Sequence, residues 1–174
     1  MFYDKISVGK NPPFEVNVII EISANSGFIK YEFDKELSTL VVDRIMQSSM
    51  QYPCNYGFVP HTLSGDGDPV DVLLYTNHPI VPGALISTRP IGVLVTEDEN
   101  GQDEKILAVP TTKTDISLAH INDIKDMPEI ILDKIRHFFT HYKDLEKGKW
   151  VKVLGWQGAE NARTIITESV KRVK

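Results

Sequence analysis

Between Phe14 and about residue 110 the chain repeats one pattern: short runs rich in Val, Ile, Tyr and Phe, each closed by turn-forming residues. The runs EVNVIIEI, FIKYEF, TLVVDR, VDVLLY, ISTRPIGVLV and KILAVP predict an antiparallel β body. Many short strands with Pro and Gly punctuation favour a barrel or a sandwich, in which apolar faces close on themselves and sheet edges are covered. The last third changes period. In PEIILDKIRHFFTHYKDLEKG, Ile131, Ile135, Phe138, Phe139, Tyr142 and Leu145 fall on one helical stripe, with Pro128 near the start and Gly148 past the end. This helix is expected to pack on the barrel. A strand, WVKVLGW, and a charged helix from about Ala159 complete an α+β chain. With no repeat, low-complexity tract or Gly/Ser linker, the expectation is one domain over residues 1–174.

Charge and composition exclude several classes. No run approaches the ~20 apolar residues needed to cross a bilayer, and MFYDKISVGKNPPFEV lacks the pattern of a secretory signal. A cytoplasmic location and no membrane partner are expected. The single cysteine, Cys54, has no partner for a disulfide and reads as a small half-buried residue between Pro53 and Asn55. A net charge of −5 argues against broad binding to nucleic acid, which needs clustered Lys and Arg. Cations, or ligands carried in by cations, suit the chain better.

The acids are concentrated. DGDPVD places Asp66, Asp68 and Asp71 within six positions at the mouth of the apolar run VLLY. An EF-hand loop is excluded by spacing: Val70 stands at position 5, Asp71 at position 6 and Asn77 at position 12. A solvated acidic turn accounts for Gly67 and Pro69 but not for Asp71, since a carboxylate leading into a core strand needs compensation. A second acidic segment, TEDENGQDEK, centres on Asn100-Gly101, a type I′ hairpin signal. Counting outward from it predicts Glu99 opposite Gln102, Asp98 opposite Asp103 and Glu97 opposite Glu104. A charged, solvated hairpin would explain this segment alone. Two acid clusters in one β body instead suggest a bowl for hard divalent cations such as Mg²⁺, which take oxygen ligands. Lys30 and Glu32 share a strand face, Arg44 ends a strand, Tyr52 and Tyr56 flank Pro53, and Tyr142-Lys143 lies near the end of the long helix. Each has a dull explanation singly; together they are the donors that an anion with many oxygens requires.

DGDPVDV resembles the acidic signature of soluble family I inorganic pyrophosphatases, and the resemblance runs through EVNVIIEI, GFIKYEFDK, VDRIMQSSMQYPCNYGFVPHT, TEDENGQDEKILAVP and HFFTHYKDLEKGKWVKVLGW. It points to the short bacterial, hexameric form. The resemblance implies a closed five-stranded OB-like β-barrel with additional strands and two flanking helices, and Mg²⁺-dependent hydrolysis of pyrophosphate to two phosphates. By similarity, Asp66, Asp71 and Asp103 hold a first metal, Asp71 also reaches a second, Asp98 and Asp103 take one that arrives with substrate, and Glu21 supports another site. Mn²⁺ or Zn²⁺ are the expected substitutes for Mg²⁺. Asp68 is the implied general base. Lys30, Arg44, Tyr56, Lys105, Tyr142 and Lys143 are implied to hold the phosphates, with Glu32, Tyr52 and Glu99 in support; Glu97 and Glu104 receive no role.

Two other readings remain open at this level. A metal-dependent phosphatase acting on nucleotides or phosphate esters would use the same residue types. A non-catalytic OB-type module would show a basic groove with aromatic platforms, unlike this acidic chain. His137 and His141, four apart on the long helix, could form a zinc pair but have no third ligand nearby in sequence. The resemblance places them near a subunit interface of a homohexamer, which is expected to weaken as imidazoles protonate below about pH 6.

Overall fold

The computed structural model describes residues 3–99 and 101–173. Eight strands and two helices follow in the order β1 (Val16–Ile22), β2 (Ile29–Asp34), β3 (Thr39–Ile45), β4 (Asn55–Phe58), β5 (Asp71–Leu74), β6 (Leu85–Asp98), β7 (Gly101–Pro110), α1 (Glu129–His141), β8 (Val151–Gly158) and α2 (Ala159–Arg172). Short 3-10 turns cover Tyr3–Lys5, Ile116–Leu118 and Ile124–Asp126.

The main sheet runs β1-β4-β5-β7-β6-β8, and β6 also pairs with β1. The long strand β6 makes this closure: Leu85 to Thr88 pair with β1, and residues from Thr88 onward pair with β7. Five strands therefore form a ring, the OB-like barrel, with β8 added outside on β6. The body is not wholly antiparallel as expected, because β5 and β7 run parallel, with Asp71 opposite Lys105. Topology demands this: directions cannot alternate all the way round a ring with an odd number of strands, so at least one neighbouring pair must be parallel. β2 and β3 form a separate hairpin, in which Lys30 stands opposite Arg44.

Buried residues on the ring strands alternate between two apolar clusters. Leu73, Leu94 and Leu107 join Ile135, Phe138 and Phe139 of α1. Val72, Leu74, Val93, Val95, Ile106 and Ala108 join Ala162 and Ile166 of α2. Because both faces are covered, VLL and ILAV are continuous apolar runs rather than half-polar ones. The stripe on α1 stops sooner than its spacing predicts. The helix ends at His141, Tyr142 caps it, and Leu145 swings out of phase to stand 64% exposed. The α2 start is satisfied from outside, since Asp123 accepts a hydrogen bond from the Ala159 N–H at 2.9 Å. Cys54 is fully buried rather than half-buried, and burial pushes its thiol up to about 12. It is chemically inert in the fold.

Candidate active site

The acidic turn before β5 is held by its own backbone. Ser64 N–H donates to the Asp68 carbonyl at 2.7 Å and Asp68 N–H donates to Asp66 Oδ1 at 3.0 Å. Gly67 sits at φ +94°, a conformation that side chains with a Cβ rarely adopt. This directs Asp66, Asp68 and Asp71 to one rim of the barrel, where two adjoining clefts open. The first, about 190 Å³, is lined by Glu21, Lys30, Glu32, Lys35, Tyr56, Asp66, Asp68 and Asp71, with apolar residues below. The second, about 250 Å³, is lined by Asp66, Asp68, Asp98, Gln102 and Asp103, with Gly101. Asp66 and Asp68 are the ridge common to both.

The acidic hairpin meets this turn in a register different from the expected one. Asp98 pairs with Gly101, Glu97 with Gln102, Thr96 with Asp103 and Val95 with Glu104. The Asn100 part of the predicted turn lies outside the described residues; Gly101 takes φ +119° at the head of β7. The expected register would have set Asp98 against Asp103 and Glu97 against Glu104. The observed one removes both like-charge pairs, each costing a few tenths to ~1 kcal/mol. Each residue exchanges its partner for one two positions away, so the parity of the faces is unchanged. Asp98 and Asp103 consequently still share a face and still line one cleft.

What compensates Asp71 is Lys105. The parallel register brings the two residues side by side at the strand ends. Lys105 is 3% exposed, and its Nζ donates to Asp71 Oδ2 at 2.8 Å and to both oxygens of Asp103 at 2.9 Å. Burial alone would lower this ammonium, but Asp71 and Asp103 raise it well above the usual lysine range. Tyr56 donates its hydroxyl to the same Asp71 oxygen, and its own ionisation is pushed far up by burial and then by Asp71. Burial also raises Asp103, against the lowering pull of Lys105, while Asp71 adds to the rise. Asp68 is raised by burial and then by the neighbouring Asp66 charge. Glu21 is pushed up to about 8 by burial, although its Oε1 accepts the Phe33 N–H at 2.7 Å. Among the described residues no three Asp, Glu, His or Cys side chains converge closely enough to share an ion. The expected bowl is a ring of carboxylates spread over two clefts, with an ammonium between Asp71 and Asp103.

Lys30 and Lys35 are the cations in the wall of the first cleft, and Arg44 and Lys143 stand outside both linings. Lys30 Nζ lies 2.5 Å from Glu32 and 3.0 Å from Asp43. Arg44 binds Asp43 through Nη1 at 2.6 Å and approaches Glu146 through Nε at 3.3 Å. Lys143 Nζ reaches Asp98 at 2.9 Å and Glu99 at 3.9 Å. Tyr142 stacks on Phe138 at 5.1 Å between ring centres. Tyr52 is deeply buried against Tyr56 and Phe138 at 5.2 and 4.7 Å, so its place is beneath the site rather than in it. Arg44, Lys105, Tyr142 and Lys143 lie behind or beside the clefts and do not line either one. Three neighbours escaped sequence reasoning. Lys35 lines the first cleft from what reads as a plain turn, Asp43 reads as an ordinary strand residue, and Glu146 reads as a solvated helix end.

Comparison with known proteins gives the same direction throughout. Residues 18–174 match the family described as inorganic pyrophosphatase. An inorganic pyrophosphatase of Rickettsia prowazekii is 60% identical over 172 residues, covering 99% of each chain. That of Rickettsia conorii is 59% identical over 173 residues, again 99% of each. The solved structure of an inorganic pyrophosphatase from Coxiella burnetii has a TM-score of 0.95 at 51% identity, covering 97% of this chain and 100% of that one.

Proposed function

The chain belongs to the inorganic pyrophosphatase family and hydrolyses pyrophosphate to two orthophosphates; from that premise we propose that the reaction runs across the ridge between the two clefts, in a single domain spanning residues 1–174. The observation that carries this placement is Asp68. It faces both clefts, and burial and Asp66 raise its carboxyl above the ordinary range, which suits a group that must accept a proton.

The donor set fits a hard divalent cation. It consists of carboxylate oxygens, and burial, with neighbouring carboxylates adding to it, holds Asp103, Asp68 and Glu21 above the ordinary range, a burden that a bound cation would relieve. Mg²⁺ would be held by Asp66, Asp71 and Asp103, by Asp98 with Asp103, and with support from Glu21, with Mn²⁺ or Zn²⁺ as substitutes. When bound it neutralises pyrophosphate and lowers the pKa of water from 15.7 toward ~7. Asp68 orients the attacking water and takes its proton. The water oxygen forms the new bond to phosphorus, the bridging P–O bond breaks, and its electron pair leaves on the departing phosphate. Arg44 and the lysines Lys30, Lys105 and Lys143, with the hydroxyls of Tyr56 and Tyr142, stabilise the phosphate charge. Arg44 can bind two oxygens at once, whereas each lysine acts as a point charge. Glu32 steadies Lys30, Glu99 steadies Lys143 and Tyr52 supports Tyr56.

Phosphate release from pyrophosphate with Mg²⁺ or with EDTA tests the reading, beside Asp68→Asn and with p-nitrophenyl phosphate as a competing ester. Rapid Mg²⁺-dependent release, falling ~10²–10⁴-fold in the variant, is the expected result. An unimpaired variant would remove Asp68 from the role of base, and preference for the ester would overturn the substrate.

A homohexamer in the cytoplasm completes the proposal. His137 and His141 are exposed on α1, and they share an outer stripe with Lys134 and with Ile130, which is 61% exposed. An isoleucine on an otherwise polar stripe suits a subunit contact better than open solvent. No helix among the described residues is long and apolar enough to cross a membrane.

A further inference from the structure

Glu146 is a buried carboxylate to which the chemistry above gives no task. Its side chain is 8% exposed. It lies in the turn after α1, where its N–H donates to the Lys143 carbonyl at 2.8 Å and its carbonyl accepts from Lys149 N–H at 3.2 Å. The nearest cation to its Oε1 is Arg44 Nε at 3.3 Å, and Lys149 Nζ stands 3.4 Å from Oε2. Neither Arg44 Nε nor Glu146 Oε1 completes a hydrogen bond, although both are buried. A carboxylate so enclosed costs stability unless a cation compensates it, and the inner compensating cation belongs to a different element.

We propose that Glu146 is a positioning residue for hydrolysis, holding the Arg44 guanidinium in the orientation that meets phosphate. The inference rests on the reading that Arg44 binds phosphate. Asp43 accepts a hydrogen bond from Nη1 at 2.6 Å and the Glu146 carboxylate faces Nε at 3.3 Å across an ion-pair contact, so anions from two elements bracket two of the three nitrogens. Among the described residues Arg44 Nη2 donates no hydrogen bond, which leaves that nitrogen to an incoming anion. The turn that carries Glu146 opens at Tyr142 and includes Lys143. One short stretch thereby sets two phosphate donors and fixes a third on the β2–β3 hairpin.

The test is a double-mutant cycle on kcat and KM for Mg²⁺-pyrophosphate, using parent, Glu146→Gln, Arg44→Gln and the double variant, each with its melting temperature. Misplacing a group by about 1 Å can cost ~10²-fold, so Glu146→Gln is expected to lower kcat roughly 10- to 100-fold with KM little changed. In the Arg44→Gln background the same substitution should leave kcat where it is. Glu146→Asp, which shortens the arm but keeps the charge, should give an intermediate kcat and serves if Glu146→Gln does not fold. Equal losses in both backgrounds would show that Glu146 acts on the fold rather than through Arg44, and parental kcat in Glu146→Gln would remove it from the mechanism. A silent Arg44→Gln would overturn the phosphate role of Arg44 itself, and the inference with it.

Discussion

Of the three carboxylates at the mouth of β5, Asp71 is the one that enters the core, and the buried Lys105 ammonium compensates it; the proposed divalent cations would compensate the rim. Lys105 satisfies Asp71 and Asp103 in the fold, but Glu21 has only a backbone N–H and neighbours of its own sign, apart from Lys30. A pH effect follows in the metal-free protein. Unfolded, Glu21 ionises near 4.5; folded, burial pushes it up to about 8. The fold thus favours the neutral carboxyl. Its contribution is fully present below about pH 4.5 and is lost as pH rises through about 8, roughly 3–5 kcal/mol in all. Glu21→Gln stays neutral at every pH. In EDTA its urea midpoint should gain on that of the parent between pH 5 and pH 9, and Mg²⁺ should narrow the gap by favouring the ionised parent. A constant difference across that range would show that the carboxyl does not titrate as argued.

At the scale of the element, β4 is the strand most easily overlooked. NYGF is short and holds a polar residue and a glycine, so neither periodicity nor β propensity marks it. Its place is fixed by tertiary contacts instead. Asn55 is fully buried because it bonds Ala24 N–H at 3.0 Å, Ile80 N–H at 2.8 Å and Thr76 Oγ1 at 2.7 Å. Gly57 lies so close to β1 that a Cβ would stand 1.9 Å from the Ile19 carbonyl oxygen. Gly57→Ala must push β1 and β4 apart; overpacking of this kind costs ~1–3 kcal/mol, or a fall of about 2–12 °C in Tm. Calorimetry showing an unchanged Tm would mean that the strands part freely. The contrast with the legible elements is physical. The α1 stripe and the apolar runs of β5 to β7 announce themselves because burial repeats with the period of the backbone. The end of α1, the parallel β5–β7 pair and the hairpin register depend on ring closure and on charges meeting across strands, and no local window contains those. Asp98 and Asp103 were readable as one group despite the wrong register, since the error kept their face. Glu146 was not, since its burial depends on where α1 stops.

For the whole molecule, the proposed hexamer places the surface of α1 at a contact between subunits. His137 and His141 have ring centres 4.7 Å apart, so protonating both sets two like charges side by side. Neighbouring charges do not cancel this evenly. Asp144 lies 2.9 Å from His141 Nδ1 and can absorb that cation, while Asp133 is engaged with Arg136. Lys134 on the same stripe adds positive charge, and among the described residues His137 has no carboxylate within ion-pair distance. An interface built on this stripe therefore tolerates neutral imidazoles and loses affinity when they charge, with His137 bearing most of the penalty. Sedimentation velocity at low Mg²⁺ should show the hexamer at pH 7.5 and smaller species at pH 5. His137→Gln should keep the hexamer at pH 5, and His141→Gln should do so less completely, because Asp144 already offsets that charge. A hexamer unchanged at pH 5 in the parent would separate these histidines from assembly, and a pH response retained in His137→Gln would move the sensitive charge to another contact.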